Sequence, residues 1–564
     1  MNNIFIQLAV ILSLSSALGL LVYKFKLPLL IAYLSAGLLL SALTTIDVSK
    51  SSALSFLPDI GIAFVLFLVG MELDLREIKN YGKQILTAGI LQVVISSVLG
   101  TFIAQSFNIP TKEAIILGIG LSFSSTLVVV KLLLDRKDLG SLYGKLSVGI
   151  LLLEDLLAVI ILLGMSSATT LSISNTLPIS VFFIKVLSLF ASAFLLNKYF
   201  LSYIFKMVSD SPELLFLTAL AWCFSFITLA SMLGFSVLIG AFLAGVVLAS
   251  SPYHFHIQGK VKPMRDFFLA LFFVYLGTRV NFSHILNIYP LILIFSAYAV
   301  LVKPLIYLLI LGIFGFRKHT MFLTAINLSQ VSEFSLIIML VALKMGLVSQ
   351  QNLTVIALSS ALSFVASSLM ISQSGKIYKY VQSLVAFFER KKHPMLDQPV
   401  EDKLTGHVVI IGAHRVGGEI VRFLKKEKHP LLVLDYNPHQ VELLLAQDIP
   451  VIYGDMLDPD ILDILNLEEA KIIISTSPDI EGSKTLLEDL KVRHINVPVI
   501  VRSETAKEAQ RLYKAGADFV IIPDILAGDL LLEMLKEHMS DKSYFKDRPK
   551  IELEKLSRKI LAWE

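Results

Sequence analysis

Long apolar runs broken by short polar punctuation fill the first two thirds of the chain. Runs of about 17–25 apolar residues cross a hydrocarbon core of roughly 30 Å. Thirteen are expected, near 4–23, 27–43, 53–70, 84–105, 111–133, 145–165, 178–197, 213–231, 235–250, 266–280, 287–314, 320–345 and 352–373. The eighth and ninth are parted only at Met232-Leu233-Gly234. Near residue 374 the pattern changes. A charged linker with Gly375, Pro394 and Pro399 is expected over 374–405, and after it short apolar runs alternate with amphipathic stretches. Val408–Ile411, Leu431–Leu434, Val451–Tyr453, Ile472–Ile474, Val499–Val501 and Phe519–Ile522 read as buried parallel strands separated by helices. The expected fold class is a polytopic all-α membrane domain of about 13 spans followed by an α/β Rossmann-like domain. The boundaries are 1–373 for the membrane domain, 374–405 for the linker, 406–540 for the α/β domain and 541–564 for a charged tail.

Composition sharpens this division. The 17% of charged residues in the 564-residue chain is an average over two unlike polymers. Residues 1–373 carry 36 charged residues, about 10%, and residues 374–564 carry 58, about 30%. If the N-terminus lies outside, 16 Lys and Arg fall in inward loops against three outward, Lys50, Lys112 and Arg279. That is the asymmetry expected of cytoplasmic loops, and an odd number of spans then delivers the charged C-terminal part to the cytoplasm. The first 23 residues lack a basic start and a small-residue cleavage pattern, so they read as a retained span. Net charge is only +4, its basic residues lie in membrane loops, and nucleic-acid binding is not expected. A single cysteine, Cys223, excludes intrachain disulfides and thiol metal sites. No metal-hydrolase pattern appears.

Four spans are polar at their centres. The sixth holds Glu154-Asp155, the eleventh Lys303-Pro304, the fifth Ser122-Phe123-Ser124-Ser125-Thr126, and the twelfth Asn327-Leu328-Ser329-Gln330-Val331-Ser332-Glu333. Each ionisable group at the bilayer centre costs at least about 2.5–3.5 kcal/mol. Three carboxylates and an ammonium at matching depth therefore read as one interior site. The bland alternative is a structural Glu154–Lys303 ion pair. Adjacent helical residues point about 100° apart, so one carboxylate can pair with Lys303 while Asp155 faces a hydrated path. A carboxylate at such a place can exchange a proton for an alkali ion near neutral pH. The fifth and twelfth spans lie seven apart in order, as expected for inverted repeats with two broken helices. Intact helices with Ser and Thr bonded back to their own backbone are the alternative for the fifth span.

In the α/β part, Val408-Val409-Ile410-Ile411-Gly412-Ala413-His414-Arg415-Val416-Gly417 reads as strand, turn and helix start, and the second strand ends in Asp435. This pattern places a Gly-lined turn under phosphates and an acid near ribose hydroxyls. His414 stands at the middle glycine position, which favours a mononucleotide or a shifted dinucleotide; a fold kept for dimer contact alone is the alternative. No catalytic acid or base follows, so a dehydrogenase is not expected.

Together these residues resemble the monovalent cation:proton antiporter-2 family, in particular Kef-type potassium efflux systems, across the membrane part and on to about residue 540. The motifs are Phe67-Leu68-Val69-Gly70-Met71-Glu72-Leu73, Ser124-Ser125-Thr126-Leu127-Val128-Val129, the Glu154-Asp155 pair, Lys303-Pro304 and Ser332-Glu333-Phe334. The tail is similar to the RCK (TrkA-type nucleotide-binding) domain through Gly412, Arg415, Gly417, Asp435, Gly454-Asp455 and Gly516-Ala517-Asp518. Glu154 stands where Kef-type members usually have Gln, closer to the paired acids of sodium-type relatives. The chain stops soon after the RCK fold, so glutathione gating is not expected.

The resemblance implies a homodimer in the cell membrane, a six-helix core moving as an elevator, and no enzymatic activity. Asp155 would bind cation and proton in turn, with Glu154, Ser124 and Thr126 beside it and Lys303 and Glu333 as core charge partners. No cofactor is expected for transport. A regulatory nucleotide, AMP, ATP or NAD(H), would be held by Gly412, His414, Arg415, Gly417, Asp435, Asp455 and Arg502. The expected function is K⁺/H⁺ antiport gated by that nucleotide. Na⁺/H⁺ antiport on the same fold is the near alternative, and an RCK-gated potassium channel or a membrane oxidoreductase the distant ones.

Overall fold

In the computed structural model of the chain, the described residues are 4–25, 27–43, 57–72, 82–136, 138–139, 141–173, 188–189, 196, 202–208, 211–249, 251, 253–280, 285–389, 404–539, 548–549 and 552–553. Two compact units emerge. The first comprises Met1–Leu132 and Leu146–Glu389, the second Leu133–Lys145 and Arg390–Glu564.

The first unit is helical. Its helices are α1 (Ile4–Lys24), α2 (Leu29–Leu43), α3 (Leu57–Glu72), α4 (Gly82–Ser106), α5 (Thr111–Ser122), α6 (Thr126–Arg136), α7 (Leu142–Ile173), α8 (Ser202–Val208), α9 (Pro212–Met232), α10 (Val237–Ala249) and α11 (His254–Thr278). After them come α12 (Ile285–Ala297), α13 (Lys303–Ile313), α14 (Lys318–Asn327), α15 (Glu333–Lys344), α16 (Gln350–Ser372) and α17 (Ser374–Ala386). Seven stretches among the described residues have the length and apolarity to cross a membrane, and shorter apolar helices such as Asp59–Met71 and Val237–Ala249 accompany them. Of the expected seventh span, 178–197, only residues 188–189 and 196 are among the described residues.

Many outward side chains are large and apolar, Phe102, Ile160, Leu301 and Ile313 among them. Such a surface suits lipid rather than water. Inside, helices approach closely where glycines face each other. A Cβ on Gly245 of α10 would lie 2.1 Å from the Phe67 carbonyl of α3, and one on Gly70 would lie 2.5 Å from the Phe242 carbonyl. Close backbone contact supplies dispersion energy where no hydrophobic drive separates helix from lipid.

Two helices are broken at mid-chain. α5 stops at Ser122 and α6 starts at Thr126, leaving Phe123, Ser124 and Ser125 outside any helix, with Phe123 extended. α14 stops at Asn327 and α15 starts at Glu333, with Ser332 extended and capping the Phe334 N–H at 3.1 Å. Both breaks fall in the polar centres expected for the fifth and twelfth spans, so the intact-helix reading of the fifth is replaced. A third irregularity is a π-helical turn, Tyr298–Val302, immediately before Lys303-Pro304. Pro304 has no N–H to give to the preceding turn, and a wider turn absorbs the lost bond.

The segment expected as linker differs. Its first half is helix α17, which belongs to the first unit, with Tyr378 buried against His319 and Phe322. Charge on one face hid an amphipathic helix.

The second unit is a six-stranded parallel sheet in the order β3-β2-β1-β4-β5-β6. Its strands are β1 (His407–Ile411), β2 (Leu431–Asp435), β3 (Val451–Tyr453), β4 (Ala470–Ser475), β5 (Val499–Arg502) and β6 (Phe519–Ile521). The helices between and after them are α18 (Arg415–Lys426), α19 (Pro438–Leu445), α20 (Pro459–Ile464), α21 (Ile480–Val492), α22 (Ala506–Ala515) and α23 (Pro523–His538). Strand order reverses between β1 and β4, where open α/β sheets form their ligand crevice. Helices on both faces explain why β1 and β2 are buried at every position.

Candidate functional site

The site of the first unit is assembled around the two breaks. The Ser124 hydroxyl donates to the Leu328 carbonyl at 3.1 Å, and the Ser125 hydroxyl to Glu333 Oε2 at 2.7 Å. Gln330 Nε2 reaches the Ser125 carbonyl at 3.5 Å. Each break thereby satisfies backbone or side-chain groups that the other exposes. Four half-helix ends meet here, and charge of the matching sign stands at three of them. Glu154 accepts from the Ser124 N–H at 2.5 Å, just before the positive end of α6. Glu333 opens α15. Lys303 donates to the Gln330 carbonyl at 3.0 Å, just beyond the negative end of α14. Helix-end dipoles favour these signs.

All three charges are enclosed: Glu154 and Lys303 are 0% exposed and Glu333 4%. The direct Glu154–Lys303 ion pair expected from the sequence is not formed. Tyr307, one turn beyond Lys303, donates its hydroxyl to Glu154 Oε1 at 2.5 Å, and the lysine turns to a backbone carbonyl instead. Asp155 occupies the neighbouring helical position and is half-buried, with its Oδ2 accepting from the Thr126 hydroxyl at 2.8 Å. The two adjacent acids therefore have separate surroundings, as the 100° between them requires. Two amide oxygens, Gln92 Oε1 and Gln330 Oε1, are buried without a hydrogen-bond donor among the described residues. Their own amide nitrogens hold the carbonyls of Ser122 and Ser125.

Tyr307 and Gln92 were not singled out from the sequence, and Ser125 and Gln330 entered only as members of the polar runs in the fifth and twelfth spans. An aromatic four residues after Lys303 was the available signal for Tyr307, since i and i+4 share a face.

The second unit holds a cavity of about 390 Å³ at the carboxyl ends of its strands. Of the residues expected to hold a nucleotide, Gly412, His414, Asp435, Asp455 and Arg502 line it, and Gly417 does not; Thr476 and Asp479 line it too. Gly412 has φ +84°, which permits the turn after β1. Gly417 is required for another reason: a Cβ there would lie 1.8 Å from the Gly412 carbonyl, so α18 packs on the turn itself. His414 is exposed at the start of α18, and the side chain of Arg415 lies outside the described residues.

Both oxygens of Asp435 are engaged, by the N–H groups of Ala413 and Asn437 at 2.8 Å each. Asp455 likewise takes the N–H groups of Leu457 at 3.0 Å and Leu142 at 2.7 Å. Burial pushes the carboxyl groups of Asp435, Asp455 and Asp479 above the usual carboxylate range. Lys145, missed in the sequence because it read as one more inward-loop cation, lines the same cavity. Arg502 Nε is buried without a partner among the described residues. A cavity of this size lies within the range of roughly 300–1,000 Å³ for small-molecule sites. With a glycine turn, carboxylates and an unpartnered guanidinium nitrogen, its walls suit a small polar ligand.

Residues 10–373 match the family described as sodium/hydrogen exchanger, transmembrane, and residues 408–523 match the TrkA-N domain. A protein of Alkalimonas amylolytica named for K(+) efflux antiport, KefB, is 28% identical over 94% of this chain and 81% of its own length. The glutathione-regulated potassium-efflux system protein KefC of Klebsiella pneumoniae is 26% identical over 92% of this chain and 82% of its own. Among solved structures, the sodium proton antiporter MjNhaP1 of Methanocaldococcus jannaschii aligns with 66% of this chain and 96% of its own. Its TM-score is 0.46 and its identity 15%.

Proposed function

Since the chain belongs to the sodium/hydrogen exchanger family and carries a TrkA-N domain behind its membrane part, we propose that it exchanges K⁺ for H⁺ at Asp155 under control of a nucleotide held in the sheet unit. The coarser statement stands by membership: it is a multi-pass membrane protein of the cation/proton antiporters. What carries the finer reading is the position of Asp155. It is the half-buried acid beside two crossed helix breaks, while Glu154, Glu333 and Lys303 are sealed and engaged with the breaks themselves.

The division of labour follows. Glu154, Tyr307, Lys303 and Glu333 hold the half-helix ends in place and neutralise them. Asp155 binds a proton or a cation in turn. A cation at the ionised carboxylate is met by oxygen donors nearby, the Thr126 and Ser124 hydroxyls and the carbonyls of the break. Protonation discharges the carboxylate and releases the cation. One carboxylate that holds either ion but not both couples their opposite movement. The helical core then moves as a unit between the two faces of the membrane in a homodimer, with the sheet unit in the cytoplasm and the N-terminus outside. K⁺ is preferred over Na⁺ as the cargo because the relatives named above carry potassium efflux in their names.

The test is cation-driven pH change in proteoliposomes with K⁺, Na⁺ and Li⁺. Wild type responds most strongly to K⁺, and Asp155→Asn falls to the level of protein-free vesicles. Unchanged exchange in Asp155→Asn overturns the site, and a Na⁺-selective response overturns the cargo.

A further inference from the structure

One wall of the cavity in the second unit comes from a distant part of the chain. That unit includes Leu133–Lys145, the connection from α6 into the first turn of α7. Two contacts bind this turn to the cavity. The Leu142 N–H, among the first amides of α7, donates to Asp455 Oδ2 at 2.7 Å, so a carboxylate of the sheet caps the helix. The Lys145 ammonium donates to the Tyr436 hydroxyl and lies 4.2 Å from the centre of its ring.

Electrostatics give Lys145 a second task. Asp435, Asp455 and Asp479 surround the cavity, and burial raises all three carboxyl groups. The charge of Lys145 opposes that rise in each of them. It is thus the shared counter-ion of three acids. A phosphate entering among those acids meets repulsion unless a cation lies between. Among side chains described on the cavity wall, Lys145 and Arg502 carry fixed positive charge.

We propose that Lys145 is a ligand of the nucleotide's phosphate and the residue through which occupancy of the cavity acts on Glu154 and Asp155. The inference rests on the reading of this cavity as a nucleotide site. A phosphate draws the ammonium from Tyr436 and from the acids, so the ligand makes different contacts with different positions of the α7 start. Such a difference is what any ligand-driven shift requires. Asp155 lies ten residues further along the same helix, about 15 Å at 1.5 Å per residue. A continuous helix moves as a rod over that length, so a displaced first turn displaces the acid pair.

The experiment uses the full chain, with AMP, ATP and NADH as probes. Binding is measured on purified protein, and the exchange rate in proteoliposomes is expressed as the ratio with and without each nucleotide. Wild type binds at least one probe and gives a ratio different from one. Lys145→Met binds that probe about tenfold more weakly, as expected for one charge-assisted hydrogen bond, and its ratio returns to one even at saturation. Lys145→Arg keeps the charge and restores both. Lys145→Gln keeps a donor for Tyr436 without the charge and behaves as Lys145→Met, which covers the case of a misfolded methionine variant. Wild-type affinity and ratio in Lys145→Gln overturn the inference and leave the nucleotide reading standing. A wild-type ratio of one despite binding does the same. Wild type that binds none of the three overturns both.

Discussion

At the scale of residues, the two adjacent acids of α7 have divergent environments. Glu154 has two donors and no exposure, and Asp155 has the Thr126 hydroxyl and partial exposure. Removing a donor from a buried carboxylate leaves desolvation uncompensated. Tyr307→Phe is accordingly expected to lower stability by about 1–3 kcal/mol, read as a fall in the thermal midpoint in detergent. Glu154→Gln is expected to be milder, because a neutral amide still accepts from the Ser124 N–H and has no charge to desolvate. Equal losses in the two variants would refute this account. Much of the site was legible at this scale: ionisable residues at mid-span need an interior reason, and all four proved to lie in one hydrogen-bonded region. The partner of Glu154 was not, because a tyrosine in an apolar helix resembles any other core aromatic until its hydroxyl is located.

At the scale of elements, the breaks in the fifth and twelfth spans were foreseeable from runs of Ser, Thr, Asn and Gln that no intact apolar helix needs. Their mutual hydrogen bonds were not, since contact between residues some 200 positions apart has no local signature. Helix α17 was hidden for the opposite reason, its charge suggesting a linker while Tyr378 anchors it. The βα units of the sheet were readable from short β-branched runs, and the two glycines after β1 prove to have different tasks. Gly412 supplies a positive φ and Gly417 supplies room. Gly417→Ala is expected to cost about 1–3 kcal/mol through overpacking and to abolish nucleotide binding together with the seat of α18. Gly528→Ala makes the contrast, because nothing lies within 4 Å of a Cβ inside α23. A gain of about 0.5–1 kcal/mol is expected there from helix propensity. Chemical denaturation of the two variants, followed by circular dichroism, distinguishes them.

On the scale of the whole molecule, acid bears on the stability of the second unit. Asp435, Asp455 and Asp479 all have carboxyl groups raised by burial in the second unit. Folding therefore favours their protonated forms. Their contribution to stability is complete below the unfolded value of about 4 and is lost as pH rises through the raised values. The sheet unit of the full chain should unfold at progressively lower temperature as pH is raised through the mildly acidic range. Asp479→Asn, which keeps the cap on the Gly482 N–H, should flatten that slope; an unchanged slope counts against it. Charge distribution announced two units from the sequence, but it placed their border at residue 374. The border by contacts runs through α6 and α7 as well, since Leu133–Lys145 goes with the sheet. One practical result concerns dissection. A C-terminal fragment expressed alone, from residue 404 onward, would carry every strand yet lack the Leu142 amide and the Lys145 ammonium. Its Asp455 would face water and its acids would lose their counter-ion. Ligand affinities taken from such a fragment should then differ from those of the intact chain, and adding a peptide of residues 133–146 in trans should move them back.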